Sequence, residues 1–361
     1  MGTDGEPIDE AVLSRVPADG TWSRMEAWSL SVHGGVWVQE RACELLASLG
    51  GLRATTRDVL LRAVEAKALD AIQAQAYELL LSSETRPGAR FFLRQYLGEF
   101  SGWLEKTLGD VRRETLDDAL VEVRSALERS GSVVPMARPL RILIAGRPNA
   151  GKSTLFNRLV EDERAVVSSV PGTTRDLLKE TVVVGGYPVR LSDSAGLRSP
   201  ESTSSSVERA GIARTRLAAR DVVIYLVRYP WQLHEDDRMF LGELPEQRVL
   251  RVASVADLAP SDLTPAVARA SEELGADVVL AAQSGAGVDT LRQLIADRWL
   301  GGGVPAAGEL PSAPFTPEQI DTLAALLDPQ LRRDALLDAA PRAYIQCRWN
   351  SWPPVSAEAA E

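Results

Sequence analysis

Eight consecutive residues, Gly146-Arg-Pro-Asn-Ala-Gly151-Lys152-Ser153, hold the densest chemistry in the chain. Their spacing is G-x-x-x-x-G-K-[ST]. The glycines of such a loop let the backbone wrap an anion so that successive amide N–H groups face it. Lys152 is then placed to reach the β- and γ-phosphates of a nucleotide, and the Ser153 hydroxyl to ligate Mg²⁺. Asn149, Ala150, Gly151, Lys152, Ser153 and Thr154 form the candidate nucleotide-binding run. A glycine-rich turn that happens to contain a lysine is the competing reading. It is disfavoured because an apolar run, Leu140–Ala145, leads into the loop and a helical pattern, Ser153–Val160, leaves it.

Two further segments suit the same chemistry. Asp193 closes an apolar run in Leu191-Ser-Asp193-Ser-Ala-Gly196, about forty residues beyond the loop. A carboxylate there can hold Mg²⁺ through water, and Gly196 can offer its N–H to the γ-phosphate. Between them lies Pro171-Gly-Thr173-Thr174-Arg175-Asp176. A Thr173 or Thr174 hydroxyl, with Thr174 the candidate ligand, can complete the Mg²⁺ shell when the γ-phosphate is present. Each of these segments taken alone reads as an ordinary polar turn.

The elements that must position these residues follow from periodicity. Helical spacing of apolar residues runs through Val38–Leu49, Val59–Leu81, Phe91–Leu108 and Leu116–Leu127, giving a helical domain over 36–130 whose core includes Tyr96, Phe100 and Trp103. Residues 1–35 form a small N-terminal region with one anticipated strand within Met25–Val32. Gly131–Pro139 reads as a linker. From 139 to 300 short β-branched runs alternate with helical stretches, which implies a mostly parallel sheet with helices on both faces. Gly185-Gly186 between Thr181–Val184 and Tyr187–Leu191 predicts a hairpin, and Pro188 argues that its second strand lies at a sheet edge. Gly301–Pro305 opens a linker and C-terminal helical extension over 301–361, with a helix expected within Thr316–Ala340.

Composition narrows the function classes. Of 361 residues, 45% are hydrophobic and 25% charged, as in ordinary globular proteins. A formal charge of −10 argues against coating nucleic acid by bulk charge. Two cysteines, Cys43 and Cys347, and two histidines, His33 and His234, build neither a disulfide framework nor a Cys/His metal cluster. No apolar run approaches the length of a membrane span, and MGTDGEPIDE lacks the layout of a signal peptide, so a cytoplasmic location without membrane association is expected.

The stretches GRPNAGKSTLFNRL at 146–159, PGTTRD at 171–176, DSAGLR at 193–198 and VERAGIARTR at 207–216 resemble the tRNA-modification GTPase family MnmE (TrmE), among the Era-like GTPases. The resemblance implies an α/β P-loop GTPase domain at 139–300 attached to an α-helical domain. It further implies binding of GTP or GDP with Mg²⁺, and a K⁺ ion held by Asn149 that acts as an arginine finger would. Leu197 stands where Ras-like enzymes carry a catalytic glutamine. The resemblance gives the water-positioning role to Glu208, although the spacing from Asp193 is a few residues longer than the family's. The other reading of Glu208 is a solvated helix residue near Arg209 and Arg214.

Guanine recognition departs from the family pattern. Ser254-Val255-Ala256-Asp257 stands in place of N-K-x-D. Asp257 keeps the carboxylate that accepts guanine N–H groups, while the Asn and Lys that brace the phosphate loop are missing. Ala281-Ala282-Gln283 replaces S-A-K, with the Ala282 N–H available to the guanine oxygen. Upstream, His33-Gly34-Gly35 resembles the H-G-G segment of the family's folate-binding, dimerising N-terminal region, which reads as truncated here, and Thr55–Arg57 with Ala66–Ala76 resembles the stretch where the family's helical domain begins. Cys347 sits in Gln346-Cys-Arg-Trp rather than the family's C-x-G-K, and reads as an incidental thiol. The expected function is Mg²⁺-dependent, K⁺-assisted GTP hydrolysis with Lys152 and Glu208 as catalytic groups, linked to tRNA modification. The alternative is a GTP-binding switch or scaffold with weak or no turnover, acting on the ribosome or another assembly. The implied partners are a guanine nucleotide, tRNA or ribosomal RNA, and a second copy bound through the N-terminal, helical or G domains.

Overall fold

The computed structural model of the protein describes residues 7–108, 116–164, 179–193, 221–255, 263–304 and 310–328. The chain divides into two compact units. One comprises Met1–Ser83, Ala89–Glu128 and Ser312–Glu361, the other Glu84–Gly88 and Arg129–Pro311.

The first unit opens with an antiparallel pair, β1 (Val12–Val16) and β2 (Ala27–Ser31), in register from Val12↔Ser31 to Val16↔Ala27. β1 is not expected from the sequence, where Gly, Pro and Asp punctuate the first twenty residues. His33 follows β2 outside any helix or strand. Its backbone N–H donates to Asp9 Oδ2 at 2.7 Å and its Nδ1 lies 2.7 Å from Asp9 Oδ1. These bonds hold the Asp9 carboxyl below its ordinary range.

Helices α1 (Val36–Ser48), α2 (Thr56–Glu65), α3 (Ala71–Leu81), α4 (Arg86–Tyr96) and α5 (Glu99–Leu108) follow. The single periodic stretch Val59–Leu81 is thus two helices. Thr55 with Asp58, and Asp70 with Gln73, form reciprocal capping boxes that start α2 and α3, and Lys67 at φ 58° turns the chain between them. Phe91–Leu108 divides likewise between α4 and α5, at Gly98 with φ 101°.

A helix from far along the chain, here α11 (Pro317–Leu327), completes this unit's core. Thr316 caps it, and the fully buried Phe315 meets Phe91, Phe92 and Phe100 edge-on at centroid distances of 5.7, 5.9 and 6.4 Å. Gln319 Nε2 donates to Gln75 Oε1 at 2.8 Å, pairing two buried amides. Phe315→Ala would empty the centre of the aromatic cluster. It is expected to cost about 3–5 kcal/mol and to speed amide hydrogen exchange across α4 and α5.

The second unit is built on a six-stranded sheet. Its strands are β3 (Leu140–Gly146), β4 (Lys179–Val184), β5 (Tyr187–Asp193), β6 (Asp221–Arg228), β7 (Val249–Ser254) and β8 (Val278–Leu280), in spatial order β4-β5-β3-β6-β7-β8. All neighbours are parallel except β4 and β5. Leu143, Ala145, Val223, Tyr225 and Val227 share one core cluster, and the alternate residues Ile142, Ile144, Val222, Ile224 and Leu226 are buried as well. Both faces are therefore covered, as the near-continuous apolar strands require. Helices α7 (Lys152–Arg164), α8 (Glu235–Gly242), α9 (Leu263–Leu274) and α10 (Val288–Trp299) supply the cover.

The Gly185-Gly186 hairpin forms as expected, with both glycines at positive φ. Pro188, however, does not mark the edge: β4 is the edge strand and β5 lies inside it. The register explains this. Val184↔Tyr187 closes the turn, so the missing N–H of Pro188 would face away from β4, and the ladder with β3 begins only at Leu140↔Val189. Gly131–Pro139 is not a linker either. Helix α6 (Leu116–Ala137) continues through Gly131 and Pro135, with Val133 and Met136 buried and the Ser132 carbonyl accepting a bond from the Tyr187 hydroxyl at 2.7 Å. Gly301–Gly303, all at positive φ, turn the chain after α10 so that the Val304 N–H bonds the Gly185 carbonyl at 2.7 Å.

Candidate functional site

β3, β6, β7 and β8 end on one edge of the sheet, and the strand order reverses beside β3. Ligands of open α/β sheets bind outside such carboxyl ends. Here Gly146 ends β3 at φ 141°, where a Cβ would lie 2.4 Å from the Leu226 carbonyl oxygen. Only glycine leaves β3 and β6 this close at the mouth of the loop. Asn149 turns the loop at φ 62°, a left-handed conformation that Asn tolerates, and Gly151 continues at φ 96°. The Ala150 N–H closes a turn onto the Arg147 carbonyl at 3.2 Å, and Leu155 N–H to Gly151 O at 2.9 Å is an early bond of α7.

Helix α7 thus begins at Lys152, with Ser153 and Thr154 in its first turn, and Leu155 and Leu159 buried beneath to anchor it. Its positive end faces the loop. Lys152 Nζ donates to the Arg147 carbonyl at 2.8 Å. A cavity of about 560 Å³ opens here, lined by the loop from Pro148 to Thr154 and by Arg228, Ser254, Val255, Ala282 and Gln283. That volume lies within the roughly 300–1,000 Å³ of small-molecule sites.

Behind the loop sits a buried polar group. The Tyr225 hydroxyl on β6 donates to Asp237 Oδ1 at 2.5 Å, and the His234 N–H to Oδ2 at 2.9 Å. Burial, reinforced by the bond to Asp237, pushes the Tyr225 hydroxyl far above the ordinary phenol range, so it stays a donor throughout neutral pH. Arg147 Nη1 stands 3.9 Å from Asp237 Oδ2; its side chain is 46% exposed, so this pair guides the loop more than it stabilises it.

The structure therefore brings Asn149, Ala150, Gly151, Lys152, Ser153, Thr154 and Ala282 to one cavity. Asp193 ends β5 opposite Ile144 of β3, placing its backbone at the same carboxyl edge. Thr173, Thr174, Gly196, Glu208 and Asp257 lie outside the described residues. Among the described residues no group of three or more His, Cys, Asp or Glu could hold a metal, and no helix is long and apolar enough to cross a membrane. Arg228, at the end of β6, lines the cavity and its Nη1 donates to the Asn149 carbonyl at 3.2 Å. Sequence reasoning missed it. The available signal was an arginine closing an otherwise apolar strand on the edge where ligands bind.

Comparison with known proteins agrees with this architecture. The model of the 50S ribosome-binding GTPase family matches residues 141–254, from β3 to the end of β7. The tRNA modification GTPase MnmE of Geobacter sulfurreducens is 31% identical over 82% of this chain and 70% of its own length. That of Laribacter hongkongensis is 32% identical over 95% of this chain and 79% of its own length. That of Aquifex aeolicus is 30% identical over 70% of this chain and 62% of its own length. Identity of this extent reaches well outside the G domain, and with the loop, sheet order and edge cavity already in place the chain belongs to the MnmE family of tRNA-modification GTPases.

Proposed function

We propose that this GTPase works in a Mg²⁺-dependent, K⁺-assisted reaction linked to tRNA modification. The observation that carries the proposal is the cavity in which the G-x-x-x-x-G-K-S loop and the start of α7 face Val255 and Ala282 across the sheet edge. The donor set suits the ions. The Ser153 hydroxyl in the first turn of α7 and the carboxylate type at Asp193, which ends a nearby strand, are hard oxygen ligands of the kind Mg²⁺ takes. Ser153 and Asp193 would hold the Mg²⁺ and Asn149 the K⁺, and the two cations would supply charge that offsets that of the phosphates.

The chain's own residues then have distinct tasks. Lys152 exchanges the Arg147 carbonyl for phosphate oxygens, a change in partner within the loop rather than a change of fold. The amides of residues 149–154 and the end of α7 hold the phosphates in one orientation. Thr173, Thr174 and the Gly196 N–H respond to the γ-phosphate, and Glu208 orients the attacking water. Asp257 accepts the guanine N–H donors and the Ala282 N–H binds the guanine oxygen. Adenine offers an acceptor at N1 and lacks the 2-amino group, so it mismatches this set. The dimer and the RNA partner belong to the same proposal, supported by the family to which the chain belongs.

Ser254-Val255 in place of the family's Asn-Lys favours a second reading, a guanine-nucleotide switch with little turnover. Phosphate release decides between them. GTP should be cleaved in preference to ATP and at least about tenfold faster in K⁺ than in Na⁺, and Asn149→Ala should remove the difference between the two salts. Nucleotide binding without release would support the switch. An unchanged K⁺ response in Asn149→Ala would remove K⁺ from the mechanism.

A further inference from the structure

The phosphate loop of this chain lacks the lysine that braces it elsewhere in the family, yet a cation still bonds it. Val255 occupies the lysine position. It is buried, lines the nucleotide cavity and has no side-chain donor. Its own N–H is committed to the Leu280 carbonyl at 3.0 Å, so it can give the loop nothing. Ser254, at the preceding asparagine position, lies against the loop: a Cβ on Gly151 would stand 3.3 Å from its Oγ.

Arg228 supplies what Val255 cannot. It pairs in register with Ser254, one strand nearer the loop, and the Ser254 carbonyl accepts the Tyr229 N–H at 3.0 Å, locking the ends of β6 and β7 together. From that position Arg228 Nη1 reaches the Asn149 carbonyl at 3.2 Å, at the left-handed turn of the loop. A guanidinium on β6 and an ammonium on β7 would approach the same loop from adjacent strands.

We infer that Arg228 is a positioning residue that takes over the loop-bracing task of the missing lysine, holding Asn149 and the phosphate loop in the nucleotide-binding shape. The inference rests on the guanine-nucleotide reading above. Because the brace acts on the loop that cradles the phosphates common to both nucleotides, its loss should weaken the binding of GDP as well as of GTP.

The test is titration of the full chain with a fluorescent GDP analogue at fixed Mg²⁺ and K⁺. The unaltered protein is compared with Arg228→Ala, Arg228→Lys and the double variant Arg228→Ala/Val255→Lys. Arg228→Ala should bind about tenfold more weakly, the usual effect of losing one charge-assisted bond. Arg228→Lys should retain most of the affinity, and the double variant should recover to within about threefold of the unaltered chain, since a lysine at 255 restores the brace from the original strand. Melting of the nucleotide-free Arg228→Ala chain should move by no more than about 2 °C, as for an exposed side chain. Unaltered affinity in Arg228→Ala would overturn the inference. So would a loss that neither Arg228→Lys nor Val255→Lys restores, because Arg228 would then be structural. If the unaltered chain bound no guanine nucleotide, the proposed function itself would fall, an outcome distinct from a normal Arg228→Ala.

Discussion

Replacement of Lys152 by alanine is expected to lower GTP turnover by about 10²–10³ at saturating nucleotide, the effect of removing one preorganised donor from a developing charge. Among the described residues, the other two cations of the loop region are engaged elsewhere. Arg147 is turned toward Asp237 with its Nη1 3.9 Å from that carboxylate, and Arg228 is bonded to the Asn149 carbonyl. Lys152, by contrast, bonds inside the loop, its Nζ donating to the Arg147 carbonyl at 2.8 Å. Lys152→Arg should not restore turnover, because a planar fork does not replace a compact ammonium in a tight loop. Folding should survive, since α7 is anchored by Leu155 and Leu159 rather than by its first residue. Single-turnover phosphate release from GTP, read beside melting of the nucleotide-free chain, checks both points. A decrease smaller than tenfold with normal melting would place the critical charge elsewhere.

The phosphate loop was legible because everything that makes it is local. Strand, glycines, lysine, hydroxyl and helix lie within 140–160, and each local preference agrees with the next. Some misread details were legible too. The break within Val59–Leu81 is announced by Asp70 and Gln73, a capping-box spacing that outweighs continuous apolar periodicity. The bond between Arg228 and the Asn149 carbonyl spans 79 residues and exists only because β6 is the neighbour of β3, which no local pattern encodes. Phe315 is harder still. It lies more than two hundred residues from Phe91, Phe92 and Phe100, and its flanking prolines make the segment look like a linker. Pro188 misled for a related reason. Its cost depends on which side of the strand lacks a partner at that position, and only the register with β3 settles that.

Glu208→Ala is expected to cut GTP hydrolysis by about 10²–10³ while leaving GTP affinity within about threefold. Leu197 follows Gly196, so the residue that Ras-like enzymes use to orient water has no polar side chain here. A carboxylate carried by the segment after Gly196 is the simplest replacement, and Glu208 is the carboxylate of the V-E-R-x-G-I match to the family, which begins at Val207. A group that holds water in line with the γ-phosphate contributes in the transition state and little in the bound ground state, which is why affinity should be spared. Lys152→Ala, by contrast, removes an interaction made in the bound state and strengthened in the transition state, and should weaken binding as well as turnover. The two variants therefore separate on one plot of kcat against Kd. Glu208→Gln refines the result: an amide still bonds water but is a poor proton acceptor, so recovery relative to alanine would assign Glu208 to orientation, and no recovery would assign it to accepting the proton. Full activity in Glu208→Ala would instead make Glu208 a solvated helix residue beside Arg209, and the water would have to be held by another group of the same segment.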